Sequence, residues 1–157
     1  MFRAADASGP GTTAAAAVLA GPNLAAGKTA GSSSNTQNYV ASNVTDGNQG
    51  TYWESANNAL PQWVQVDLGS AQSASRVVLQ LPAGWGNRNE TLSVDASTNG
   101  TTWTNAKASA SYAFTTGANN TVTITFPATT QRYFRLNITA NSGWPAGQIS
   151  ELQAWNS

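Results

Sequence analysis

In a chain of 157 residues, 40% apolar content and six tryptophans supply one sizeable core, so a single domain is expected. Seven basic and seven acidic side chains, together 9% of the residues, leave a neutral surface of Ser, Thr, Asn, Gln and Gly; this excludes nucleic acid as a partner and suits a hydroxyl-bearing one such as a sugar polymer. With neither histidine nor cysteine, the chain lacks the usual general base near neutral pH, any Ser-His-Asp or Cys-His set, a zinc cluster and a disulfide framework, so no enzyme is expected.

Residues 1–22, MFRAADASGPGTTAAAAVLAGP, are rich in Ala, Gly, Thr and Pro and show no amphipathic period. The run at 14–20 is only weakly apolar and Asp6 lies near it, against the basic-then-apolar order of a signal peptide, so a linker or expression remnant is expected. No stretch approaches the roughly 18 apolar residues of a membrane span. From residue 37 onward the pattern has period two. Val64, Val66 and Leu68 share one face of a strand, and the alternation recurs as Val77/Leu79/Leu81, Leu92/Val94/Ala96, Val122/Ile124/Phe126 and Phe134/Leu136/Ile138. Turn signals separate them at Leu68-Gly69-Ser70, Thr98-Asn99-Gly100, Thr116-Gly117-Ala118 and 141–148. No helical period competes outside the leader, so the fold class is all-β, a two-sheet sandwich or jelly roll.

Six runs then resemble one family in its order: Asn23-Leu24-Ala25, the stretch Ala41 to Asn48, Thr51 to Ser55, Gln62 to Gly69, Ser97 to Trp103 and Arg132 to Leu136, closed by Ile149 to Gln153. The chain from 23 to 157 resembles the discoidin or F5/8 type C family, which includes the family 32 carbohydrate-binding modules. The resemblance implies a galactose-binding-domain-like jelly roll of about eight antiparallel strands, whose relatives bind sugars or, in animals, lipid heads and protein partners. Animal members carry a bracketing cysteine pair, which this chain lacks, so it looks more like bacterial modules appended to secreted glycoside hydrolases. Residues 81–94 and 141–148 resemble the discoidin modules of bacterial α-glucan-degrading enzymes, including α-1,3-glucanases.

Tryptophan usually packs inside, and the resemblance makes Trp53 a core residue, puts Trp63 under a neighbouring loop, and gives Trp103 a packing position. Trp155, closing the last strand, is read as structural too. Trp85 and Trp144 differ, because each stands among Gly and Pro in a loop with no inward face; they are expected as an exposed pair at one end of the sandwich. A pyranose presents a flat patch of C–H groups to an indole, and its hydroxyls need polar partners. Arg88, three residues after Trp85, offers a planar fork of donors, with Asn87, Asn89 and Glu90 as further polar groups. Glu54 and Asn57 are expected to border the same rim. In galactose-binding relatives an arginine of this loop acts with a histidine that this chain does not have, so their preference for an axial hydroxyl is not carried over.

The oxygen-rich loop 43–51 contains one carboxylate, Asn and Thr oxygens and a glycine, a set able to wrap a hard cation. The resemblance implies structural calcium held by Asp46, Thr51, the carbonyls of Asn43 and Asn48, and Glu151 from the last strand. The expected function is a non-catalytic carbohydrate-binding module that targets a secreted, extracellular glycoside hydrolase to a neutral polysaccharide, a glucan and by preference an α-1,3-glucan. Its partners would be that polysaccharide and the catalytic domain of the parent enzyme, with neither nucleic acid nor membrane, and the module itself a monomer. The alternative is an adhesion domain for protein or phospholipid. An enzyme would need paired carboxylates, and only Glu54 and Glu90 could meet at the rim.

Overall fold

The computed structural model of the protein describes residues 21–156; apart from Gly21 and Pro22, the expected leader lies outside the described residues. Period-two stretches become extended backbone because alternate side chains then face the core and water. Among the described residues eight strands result: β1 (Thr29–Ser32), β2 (Trp53–Glu54), β3 (Gln62–Gln80), β4 (Arg88–Ser97), β5 (Thr104–Phe114), β6 (Thr121–Asn141), β7 (Gln148–Ile149) and β8 (Glu151–Trp155). Among the described residues, helix is confined to two 3-10 turns, Ala41–Thr45 and Thr116–Ala118.

The long strands β3 and β6 carry the jelly roll. The first half of β3 pairs with β1 and with the end of β6, from Gln62↔Ile138 to Asp67↔Tyr133. After a register shift between Asp67 and Gln72, its second half pairs with the start of β6 and with β8, ending at Gln80↔Thr121 and Gln80↔Glu151. Leu68-Gly69-Ser70 was expected to separate two strands, and it is instead a corner inside one. Gly69 has a φ of 88°, open to glycine, so the chain bends there without leaving its strand. All pairings are antiparallel, in the order β1-β3-β6-β4-β5, with β8 on β3 and β2 paired to β7.

The five apolar triplets read from the sequence point inward, and all are buried. Burying one Val, Leu, Ile or Phe side chain stabilises by about 1.5–3 kcal/mol, so this shared face supplies the main driving force. Trp53 joins it at 0% exposure, and its indole N–H donates to the Ser34 carbonyl at 2.9 Å. Trp63, on the outer face, is covered by a side chain. The Arg135 guanidinium lies 3.7 Å from the Trp63 ring centroid and 4.0 Å from that of Trp103. Its Nε and Nη2 both donate to Gln65 Oε1, at 2.9 and 2.7 Å, so the gap between these two indoles is filled.

Three connections meet at one end of the sandwich: 81–87 between β3 and β4, 55–61 after β2, and 142–147 between β6 and β7. Hydrogen bonds lace the last two together. Ser55 N donates to Gly147 O at 2.9 Å, Gly147 N to Ser55 Oγ at 2.8 Å, and Asn58 N to Pro145 O at 2.8 Å.

Candidate functional site

A cavity of about 380 Å³ opens at this end, lined by Tyr52, Glu54, Trp85, Gly86, Arg88, Trp144 and Gln148. Four of the residues expected at the rim therefore share one hollow. The two indoles differ in setting. Trp144 is 49% exposed, and its Nε1–H donates to Asn57 Oδ1, which fixes the ring while leaving it open to water. Trp85, expected to be equally open, is half-buried and packed against the core. The Arg88 guanidinium stands over it at 4.8 Å, and Tyr52 meets it edge-on with centroids 4.5 Å apart. Trp85 is a wall of the cavity, and Trp144 is its open platform.

Asn120 explains why Trp85 sits inward. Fully buried at a φ of 48°, it donates through Nδ2 to both Pro82 O and Trp85 O at 2.9 Å, closing the turn that carries the indole. Tyr39 stacks on Tyr52 from behind, with centroids 4.4 Å apart. Burial and the neighbouring Tyr39 hold the Tyr52 phenol above its ordinary range, so it stays a neutral hydroxyl.

The polar floor is a chain of hydrogen bonds. Arg88 Nη1 donates to Gln148 Oε1 at 2.9 Å, and Gln148 Nε2 donates to Glu54 Oε1 at 2.7 Å. Asn57 Nδ2 reaches Glu54 Oε2 at 3.4 Å. Arg88 lies across Gly143, where an added Cβ would stand 2.9 Å from Nε and 3.0 Å from the arginine Cβ. Only glycine leaves room for the fork to pass. Asn87, expected in the site, turns away: its Oδ1 accepts the Thr116 N–H at 2.8 Å, which ties its loop to the neighbouring turn. Asn89 is exposed on the opposite parity of β4, and its backbone N–H donates to Ser142 Oγ at 2.9 Å. Glu90 shares the inward parity of Arg88 but lies wholly beneath the cavity. The residues that sequence reading missed are Gln148, Tyr52 and Asn120. Parity could not have marked Gln148, since β7 is two residues long and buried at both; nothing local marks Asn120 beyond its place in an Asn-Asn pair.

The second constellation is compact. Asp46 Oδ1 accepts the Asn48 N–H at 2.9 Å, Thr51 Oγ1 donates to Asp46 Oδ2, and the Asn48 carbonyl accepts from Thr51 Oγ1 at 3.1 Å. Glu151 is buried against this loop with Oε2 lacking a hydrogen-bond partner. Burial and the facing Asp46 carboxyl push its pKa up to about 8. Two carboxyls forced together, one with an orphaned oxygen, fit a divalent cation that would satisfy both. No cluster of three or more His, Cys, Asp or Glu side chains exists among the described residues, so other ligands would be neutral oxygens. The side chain of Asn43 is engaged elsewhere, donating to Tyr52 O at 2.9 Å.

The F5/8 type C domain family matches over residues 28–152. Among solved structures, chitosan-binding module 1 from the chitosanase/glucanase of Paenibacillus sp. IK-5 is 35% identical, with 85% of this chain and 98% of that one covered and a TM-score of 0.68. Chitosan-binding module 2 of the same enzyme, solved in complex with chitotriose, is 32% identical over 84% and 98%, at a TM-score of 0.68. The family 32 module of C. perfringens NanJ, in complex with galactose, is 26% identical over 82% and 93%, at 0.70. No match was found among curated proteins.

Proposed function

The chain belongs to the F5/8 type C domain family, and from that premise we propose that it is a non-catalytic carbohydrate-binding module holding an attached, secreted glycoside hydrolase on a neutral polysaccharide. The observation that carries this reading is the cavity between Trp144 and Trp85, with an arginine fork and a carboxylate on its floor. A pyranose stacks on the open face of Trp144, its ring edge meets the Trp85 wall, and its hydroxyls accept from Arg88 and donate to Glu54. The relatives solved with sugars or named for chitosan support a saccharide as the ligand class.

Neutrality is supported by the pairing of one cation with one anion at the floor, both tied to the same amide. A glucan, with α-1,3-glucan preferred, rests on the likeness of residues 81–94 and 141–148 to modules of α-1,3-glucanases. Glycoside cleavage would need two carboxyls able to reach substrate, and Glu90 is at 0% exposure behind Gln148. Attachment raises the local concentration of an enzyme at its substrate, so weak intrinsic affinity suffices, on the order of 10 μM to mM. Calcium, held by Asp46, Glu151, Thr51 and the carbonyls of Asn43 and Asn48, would tie the 43–51 loop to β8 as a structural ion. A chelator is then expected to lower the thermal midpoint and calcium to restore it, by about 2.7 kcal/mol at a concentration of 100 Kd.

The test is affinity electrophoresis and pull-down against α-1,3-glucan, dextran, starch, laminarin, xylan and galactan. Retardation by a glucan that is lost in Trp144→Ala and weakened in Trp85→Ala is the expected result. Retention on none of the six, or retention untouched by both substitutions, overturns the reading.

A further inference from the structure

Gln148 lies between the two charged groups of the cavity, and it is itself held from below. Its backbone N–H donates to Glu90 Oε1 at 3.1 Å, and Asn141 Nδ2 donates to its Oε1 at 3.1 Å. Glu90 breaks the pattern of its strand. The residues that follow on the same face of β4 are Leu92, Val94 and Ala96, all buried and apolar, whereas Glu90 places a carboxyl at 0% exposure among them. A buried acid is costly where an apolar side chain would serve, so packing alone does not account for it. Its Oε2 has no hydrogen-bond partner, and neither has the hydroxyl of Tyr112, the residue directly opposite across the β4–β5 ladder.

We propose that Glu90 is a positioning residue for the saccharide cavity: through Gln148 it sets the gap between Arg88 and Glu54 that receives a pair of sugar hydroxyls. This inference rests on the saccharide-binding reading above and names how that site is held open. Without an anchor, the oppositely charged Arg88 and Glu54 would close on each other and consume the groups a sugar needs. With Gln148 fixed, its amide takes one donor of the fork and gives one donor to the carboxylate, so each retains capacity for a ligand.

The charge state of Glu90 agrees with this role. Burial pushes its carboxyl up to about 8, against the opposing pull of the Gln148 N–H and the Arg88 charge, so at neutral pH it is an uncharged acid. The groups facing it are Arg88 on its own strand, Tyr112 on β5, Asn141 on β6 and Gln148 on β7, with Glu54 beyond the glutamine. Arg88 is the cation among them. Once Glu90 ionises, the buried anion attracts the guanidinium two residues away and withdraws it from the sugar.

The experiment uses the full chain with Glu90→Gln and Glu90→Leu. First, the side-chain NH₂ signals of Gln148 are followed by ¹⁵N-resolved NMR without ligand. Second, affinity is measured on whichever of the six polysaccharides holds the wild type most strongly, from pH 6 to 9. E90L should shift or broaden the Gln148 signals and weaken retention tenfold or more. E90Q, whose amide oxygen still accepts from Gln148, should keep both signals and affinity within twofold, and should lose the decline in affinity that the wild type shows above pH 8. Unmoved Gln148 signals and unchanged affinity in E90L, or a wild-type pH decline that persists in E90Q, overturn the proposal. Should E90L not fold, E90Q and the pH series decide. A wild type retained by no polysaccharide overturns the saccharide reading instead, and the ligand-free signals still decide the positioning.

Discussion

Two pairs of tryptophans stand on this body, and they are used in opposite ways. Between Trp63 and Trp103 the gap is occupied by Arg135, whose donors are turned onto Gln65. Between Trp85 and Trp144 the gap is a cavity, and its arginine covers only the inner ring. The ingredients are the same, two indoles and a guanidinium. What separates them is backbone setting: the first trio stands on or beside paired strands of one sheet face, where a side chain from β6 fills the space, while in the second both indoles hang on loops and the arginine stands at the first residue of β4. A filled aromatic sandwich stabilises; an open one is free to take a ligand.

Substitutions should therefore split stability from affinity along this line. The largest stability loss belongs to Trp63→Ala or Trp103→Ala, which remove half-buried ring area and a cation–π contact, about 2–3 kcal/mol by denaturant unfolding with saccharide affinity unchanged. Asn120→Ala sharpens the contrast, since it removes both hydrogen bonds beneath the Trp85 turn. It should cost about 1–2 kcal/mol by the same assay and also lower affinity, because the wall loses its seat. Trp144→Ala should do the reverse of the first pair: affinity falls about tenfold, or 1.4 kcal/mol, in a titration, while stability stays within about 0.5 kcal/mol. A smaller effect concerns pH. Glu90 titrates near 8 when folded against 4.5 ordinarily, so its unfolded form loses the proton first. The stability it contributes is complete below 4.5, drains away as pH rises toward 8, and is level above that. In Glu90→Gln the urea midpoint should show that much less dependence on pH.

The strands with apolar alternation were legible because burial enforces period two, and all five triplets lie in the core. β5 was not. Its sequence TNAKASASYAF exposes most of both faces at the edge of the sheet, so no core selects its residues and no alternation appears. The corner at Gly69 was mistaken for a chain reversal, because a glycine marks positive φ equally in a turn and in a bent strand. At the site, Trp85, Trp144 and Arg88 were legible from their Gly- and Pro-rich surroundings. That Trp85 turns inward was not, since the residue that pulls it in, Asn120, is 35 positions away. Distance along the chain hid Gln148 as well, since its role depends on Arg88 from β4 and Glu54 from β2, 60 and 94 positions away.

The central claim is that a saccharide enters between Trp144 and Trp85 and leaves the outer-face pair untouched. Six tryptophans give six indole N–H signals, and titrating the ¹⁵N-labelled chain with an oligosaccharide of the retained polysaccharide reads them together. The account predicts that the Trp144 and Trp85 signals move and saturate together while those of Trp63 and Trp103 stay in place. Movement of Trp63 or Trp103 with Trp144 unmoved would contradict it.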